Sequence, residues 1–255
     1  IRKLLVVIEP ALMESLALKR AKQIASITKA HLHLLICDKE HDHSALLSVL
    51  ESSLKAEAHS VTTKQDWHEN LHTTIIKEQQ AANCGLVIKQ HIPDNPLKKL
   101  LLTPEDWKLL RYCPCPVLLT KTSQPWEKGV VLAAVDVGNS DPEHMELHSS
   151  IVKHGFRVAS LAHAQLHVVS AHPAPMLAAV DAAYPIDTQY EATYRAACKV
   201  FQQKFDIGDS RLHVEEGPAD VIIPRIAKKL KAVVTVMGTV ARTGFPGARI
   251  GNTPE

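Results

Sequence analysis

Short runs rich in β-branched residues alternate along this chain with longer stretches whose apolar positions recur at helical spacing. That is the pattern of βαβ units feeding a parallel sheet. Lys3 to Ile8 predicts a first strand. Leu12, Leu16, Ala17, Ala21, Ile24 and Ile27 then predict an amphipathic helix, and His31 to Cys37 a strand apolar enough to be covered on both faces. Ser44 to Ala58 predicts a second helix, with Leu46, Leu47, Leu50 and Leu54 as its stripe. Val61 to Lys64, Leu86 to Lys89 and Pro116 to Leu119 complete a set of strands, with Leu71, Ile75, Ile76, Leu109 and Leu110 on the helices between them.

After the polar, proline-containing stretch Thr122 to Lys128 the series restarts. Val130 to Val135 matches Leu4 to Ile8, Ala164 to Val169 matches Ala30 to Leu35, and Val234 to Met237 matches Leu86 to Ile88, which marks a duplication. A third-strand candidate, Arg211 to Glu215, precedes Gly217-Pro218, where proline suits the first turn of a helix ending near Leu230. The expected fold class is therefore α/β, with two tandem Rossmann-like domains over residues 1–122 and 128–255. Each should carry a parallel sheet of order 3-2-1-4-5, the second without its last strand in this chain. Apolar strands left at the sheet edges predict that the two domains pack as an intramolecular pseudo-dimer, with a homodimer as a further form.

Composition narrows the function classes. Of 255 residues, 45% are hydrophobic, enough for a substantial core, while 29 Lys plus Arg nearly balance 27 Asp plus Glu. Pairs such as Lys98-Lys99 and Lys228-Lys229 fall on predicted helices as solvated faces, so nucleic acid is not an expected partner. No apolar run approaches the roughly 18 residues of a membrane span, and Ile1 opens directly into a strand-like segment, so no membrane partner and a cytoplasmic location are expected. The five cysteines form no CxxC pair, which suits a reducing compartment and a packing role.

In a doubly wound sheet, ligands bind beyond the carboxyl ends of the strands, where helix N-termini and loop amides converge. In the second copy those loops are Asp136-Val137-Gly138-Asn139-Ser140 and Gly238-Thr239-Val240-Ala241-Arg242-Thr243-Gly244, the latter running on through Gly247 to Gly251-Asn252-Thr253. Successive backbone N–H groups in such a loop can form an anion nest, to which Arg242 and Thr243 add a charge and a donor. Asp136 could accept hydrogen bonds from a base or ribose. The plain alternative is that Gly238 turns the chain and Asp136 caps a helix.

These loops, together with Thr103-Pro104-Glu105-Asp106-Trp107 and Arg111-Tyr112-Cys113-Pro114-Cys115-Pro116-Val117, resemble the tandem universal stress proteins, their E-type members in particular. The resemblance covers essentially the whole chain. It implies an adenine nucleotide alpha hydrolase-like fold and an Asp at the end of the first strand. After the fourth strand it implies a phosphate-holding signature of Gly, two residues, Gly, nine residues, Gly and then Ser or Thr. Here Gly238 and Gly251 match, whereas Ala241 and Asn252 depart; alanine disfavours a left-handed backbone by roughly 1 kcal/mol. The resemblance implies ATP or a related adenine nucleotide as ligand, with a lipid-like ligand as the alternative. It also implies a degenerate first domain. There Glu9 stands at the place of Asp136 and Lys89 at that of Gly238, while Pro93 and Pro96, lacking N–H groups, occupy the loop that would cradle phosphate.

Fifteen histidines raise the question of a metal, but no recognised ligand spacing is present, so no metal site is expected. His31 and His33 share a strand face, His41 and His43 lie in a loop, His167 repeats His33, and His172 follows. Cys113-Pro114-Cys115 reads as the start of a strand rather than a redox pair, and no Ser, His and Asp arrangement stands out as a nucleophilic triad. The leading functional expectation is a stress-response protein binding a small ligand in its second domain. The alternatives are a nucleotide hydrolase at the same loops, which would need a divalent cation and a positioned water, and a ligand-free protein acting through partners.

Overall fold

A computed structural model of the chain describes residues 1–93, 102–139, 141–172 and 186–239, the side chains of 186–191 excepted. The chain divides into two compact units, Ile1–Ser123 and Gln124–Glu255.

In the first unit β1 (Lys3–Val7), α1 (Leu16–Thr28), β2 (His31–Cys37), α2 (Ser44–Ala56), β3 (Val61–Asp66), α3 (Leu71–Ala81), β4 (Leu86–Gln90), α4 (Pro104–Tyr112) and β5 (Val117–Thr120) follow in order. All strand pairs are parallel, and the order is β3-β2-β1-β4-β5. Leu4, Leu5, Val6, Leu32, Leu34, Leu35, Ile36 and Ile88 are wholly buried, because helices cover both faces and both pleat directions must be apolar. Three of its four helices start on a polar side chain that satisfies an otherwise orphaned amide, whereas His43 at the start of α2 makes no such cap. The Ser15, Asn70 and Thr103 side chains accept from the N–H groups of Leu18, Thr73 and Asp106.

The second unit repeats the plan with β6 (Val130–Ala134), α5 (Pro142–Leu161), β7 (Gln165–His172), α6 (Ile186–Phe205), a 3₁₀ turn (Asp209–Arg211), β8 (Leu212–Glu216), α7 (Ala219–Lys229) and β9 (Ala232–Val236). Among the described residues its sheet has four parallel strands, ordered β8-β7-β6-β9, the same winding without a fifth strand. One core cluster joins Val131, Ala133, Val168, Tyr194 and Phe201; another, built on Leu132, Val169, Ile222, Ile223 and Ile226, covers the other face. Pro218 sits at the N-cap of α7 rather than inside its first turn. The duplication extends to backbone detail. Lys29 and His163, which precede the equivalent strands β2 and β7, both take left-handed φ values of 56° and 48°, and Asn83 and Lys231, before β4 and β9, take 52° and 51°.

Strand pairing also fixes the repeat alignment and corrects one expectation. Ile8 N–H donates to the Leu35 carbonyl as Val135 N–H does to that of Val169, so Glu9 and Asp136 are equivalent. Val6 pairs with Ile88 and Ala133 with Val236. Lys89 therefore corresponds to Met237, and the residue equivalent to Gly238 is Gln90. The sequence match slipped by one residue because it set four residues, Val234 to Met237, against three, Leu86 to Ile88, and similar apolar side chains at the strand starts do not fix the register.

Candidate functional site

The last buried residues of β6 and its extension, Ala134 and Val135, deliver Asp136 to an exposed position at the carboxyl end of the second sheet. The amides that follow turn inward. Asp136 N–H donates to His148 Nε2 at 3.3 Å, and Val137 N–H to Ser170 Oγ at 3.0 Å. Ser170, at the end of β7, is in turn 2.5 Å from the Tyr194 hydroxyl of α6. Asn139 N–H closes a turn onto the Asp136 carbonyl, and the Asn139 side chain accepts from Asp141 N–H just before α5. The Val137 amide is thus engaged by the protein, and what the loop turns outward is the Asp136 side chain.

Both candidate loops carry a glycine that a neighbouring side chain approaches closely. A Cβ on Gly138 would lie 2.6 Å from the Tyr194 ring, and one on Gly238 would lie 2.6 Å from Leu147. Gly238 accordingly has a packing reason to be glycine, independent of any ligand. It follows β9, so the two candidate loops leave adjacent strands and rest on consecutive residues of α5, Leu147 and His148. Burial pushes the His148 imidazole down, with Asp136 acting the other way. A neutral ring has the lone pair on Nε2 that the Asp136 amide needs. Asp136, Val137, Gly238 and Thr239 lie in the described part; Ala241, Arg242, Thr243, Gly251, Asn252 and Thr253 lie outside the described residues. His148, Ser170 and Tyr194 carried no sequence signal, since a single polar residue on a buried face announces no partner.

The equivalent place in the first unit is filled by its own side chains. Gln90 Oε1 accepts from the N–H of Leu16, the first residue of α1, at 2.8 Å. Lys89, 4% exposed, donates to Asp106 Oδ1 at 3.0 Å and to the Gln90 carbonyl at 3.1 Å; Asp106, 0% exposed, also accepts from His91 Nδ1 at 2.7 Å. Burial acts to raise the Asp106 carboxyl, but Lys89 and His91 outweigh it and hold the group below its ordinary range. Pro93 is described, whereas Pro96 lies outside the described residues. Cys37 beside this cluster is pushed up to about 12 by burial and by Glu9.

Most histidines are satisfied structurally. The network assigns a relay in which Ser60 donates to His31 Nδ1, His31 Nε2 to Thr62, Thr62 to His33 Nδ1, and His33 Nε2 to the Glu78 carboxylate. Lys64 also pairs with Glu78. In the second unit His167 and His213 stack at 5.2 Å with Nδ1 and Nε2 2.9 Å apart. The Cys113 and Cys115 sulfurs lie 3.8 Å apart, and the contact draws Cys113 down to about 7 while Cys115 is raised. No helix among the described residues is long and apolar enough to cross a membrane.

Two parallel Rossmann-like units in tandem, with candidate loops at the carboxyl end of the second sheet, define the class: a duplicated, doubly wound α/β protein. The universal stress protein family model matches residues 130–255. A universal stress protein E from Photorhabdus laumondii is 32% identical over 284 residues, covering 100% of this chain and 90% of the relative. The chain belongs to the universal stress protein family. The universal stress protein E of Salmonella typhi is 36% identical over 202 residues, 76% of this chain, and the match spans 64% of that protein's length. A crystal structure from Pseudomonas aeruginosa UCBPP-PA14, described as a universal stress protein, superposes with a TM-score of 0.89 at 59% identity, covering 100% of this chain and 88% of that one.

Proposed function

We propose that this is a cytoplasmic stress-response protein whose second domain, residues 128–255, holds a small anionic ligand, and whose first, residues 1–122, is structural. The ligand is ATP or a related adenine nucleotide, with a lipid-like ligand as the alternative. Asp136 accepts hydrogen bonds from the ligand's base or sugar. We assign the anion to Gly238, Thr239, Ala241, Arg242, Thr243, Gly251, Asn252 and Thr253, whose backbone N–H groups and guanidinium suit negative charge. Val137 contributes its place in the loop wall, since its amide is occupied by Ser170.

The observation that carries this reading is the contrast at one repeat position. In the first unit Gln90 covers the α1 N-terminus beside the buried Lys89 and Asp106 pair. The second unit has Gly238 there, with Asp136 exposed on the adjoining strand end. Titration calorimetry with ATP and Mg²⁺, alongside native mass spectrometry of the purified chain, tests it. Asp136→Ala should weaken nucleotide binding about tenfold to hundredfold, the worth of a hydrogen bond to a charged group, with the fold intact because the side chain is exposed. A bound phospholipid-sized mass without ATP binding would select the lipid-like ligand. Undiminished affinity in Asp136→Ala, or no ligand of either kind, would overturn the proposal.

A further inference from the structure

The loop joining β2 to α2 gathers three side chains that the proposed ligand site does not use. Asp38 Oδ2 lies 3.2 Å from His41 Nδ1 and 2.8 Å from His43 Nε2, and all three donor atoms fall within 4.8 Å of one another. We propose that Asp38, His41 and His43 form a divalent transition-metal site, with zinc as the ion that this donor set fits.

The distances carry the first part of the argument. Zinc bound at about 2.0–2.2 Å by nitrogen and carboxylate oxygen places tetrahedral ligand atoms roughly 3.3 Å apart. The Asp38 contacts, at 3.2 and 2.8 Å, fall within about 0.5 Å of that separation, so a cation needs only modest side-chain shifts to replace the shared protons. Two imidazoles and one carboxylate leave a fourth position for water or a partner's ligand, as in sites that keep an open position. The donor chemistry favours a d-block ion over magnesium or calcium, which prefer oxygen.

The second part is the support behind the ligands. Gln65, at the end of β3, holds the backbone of all three ligand residues through one side-chain amide. Its Oε1 accepts from His43 N–H at 2.8 Å, and its Nε2 donates to the carbonyls of Asp38 at 3.1 Å and His41 at 2.6 Å. Asp38 Oδ1 accepts the N–H groups of Glu40 and His41, which aims Oδ2 at the two rings. Of the neighbouring charges, the Asp42 carboxylate accepts from Ser44 while still adding negative charge near His43, and the Lys39 ammonium sits 5.9 Å from the Trp67 ring centroid. Backbone and carboxylate are thus fixed before any ion arrives, the preorganisation that outer-shell partners give a metal site.

The test is titration of the untagged chain with zinc chloride, read by calorimetry, and with cobalt(II), read by visible absorption. One site should bind zinc and give a strong four- or five-coordinate cobalt band. His43→Ala and Asp38→Asn should each weaken binding about a hundredfold and bleach the band, and Gln65→Ala should weaken it about 10–100-fold through loop order alone. His154→Ala, at a half-buried histidine of α5 in the other unit, should change neither readout. Zinc should raise the unfolding temperature of the wild type and of His154→Ala but not of Asp38→Asn. If His43→Ala does not fold, Asp38→Asn decides. Equal zinc affinity in wild type and Asp38→Asn, or a weak octahedral cobalt spectrum in the wild type, would overturn the proposal.

Discussion

The side-chain carbonyl of Gln90 lies 2.8 Å from the backbone N–H of Leu16, so the last residue of β4 caps the first turn of α1 from across the sheet. The equivalent residue in the second unit is Gly238, which has no side chain to offer. Two copies of one fold have thus diverged at the point where a helix N-terminus meets the end of a strand, a place that favours an acceptor or an anion.

Gln90→Gly should cost the first unit about 1 kcal/mol, the usual worth of an N-terminal cap, and should leave the second unit's stability unchanged. Urea unfolding followed by hydrogen exchange of the α1 amides measures both. Unaltered exchange at Leu16 would show that the cap does not hold the helix.

Lys89→Met should be far more damaging, about 3–5 kcal/mol, because it removes the ammonium that pairs with the fully buried Asp106 and leaves His91 as the carboxylate's side-chain hydrogen-bond partner among the described residues. The double change Lys89→Met with Asp106→Leu should recover much of that loss by removing both charges. Chemical denaturation of the three variants distinguishes the cases: equal instability of single and double variants would mean that the charges are not the cause.

Gly238→Ala should destabilise the second unit by about 1–3 kcal/mol through the collision with Leu147. Leu147→Ala costs stability on its own, but the pair should be less harmful than the sum by at least 0.5 kcal/mol, beyond the scatter of independent sites (about 0.3–0.5 kcal/mol). Strict additivity would show that the loop relaxes away from α5. Loss of ligand binding in a Gly238 variant is therefore interpretable only beside this stability measurement.

The pH dependence has two windows. His33, His148, His167 and His213 are all lowered, burial being the first cause in each. A lowered histidine binds its proton more tightly when unfolded, so its contribution is whole above the unfolded pKa of about 6.5 and is lost as pH falls through the folded value. Asp106 is also lowered, and its contribution survives until pH falls below the unfolded carboxylate value of about 3.9. Urea midpoints should drop from pH 7.5 to 5.5 and again below pH 4, and His148→Gln should flatten the first fall without touching the second.

Periodicity determined the βαβ series and, with the repeated segments, the duplication; the strand order expected for such a series is shown by the pairing itself. The buried strands, Lys3–Val7 and His31–Cys37 among them, are short apolar runs that can pair only in a covered parallel sheet. Local chemistry also pointed to the strand ends at Asp136 and Gly238. Only the tertiary structure could decide the rest, because each case depends on partners far apart in the chain. The register of β4 against β1 moved the equivalence of Gly238 from Lys89 to Gln90, because hydrogen-bonded pairing and not side-chain character sets which residues correspond. The Val137 amide is engaged by Ser170, 33 residues away. Asp38, His41 and His43 have no familiar ligand spacing, and they converge because Gln65, on a neighbouring strand, bends the loop that carries them. Hydrophobic period is written locally and survives in the one-dimensional sequence. The pairing of single polar groups is set by strand register and helix packing, which exist only once the core has formed.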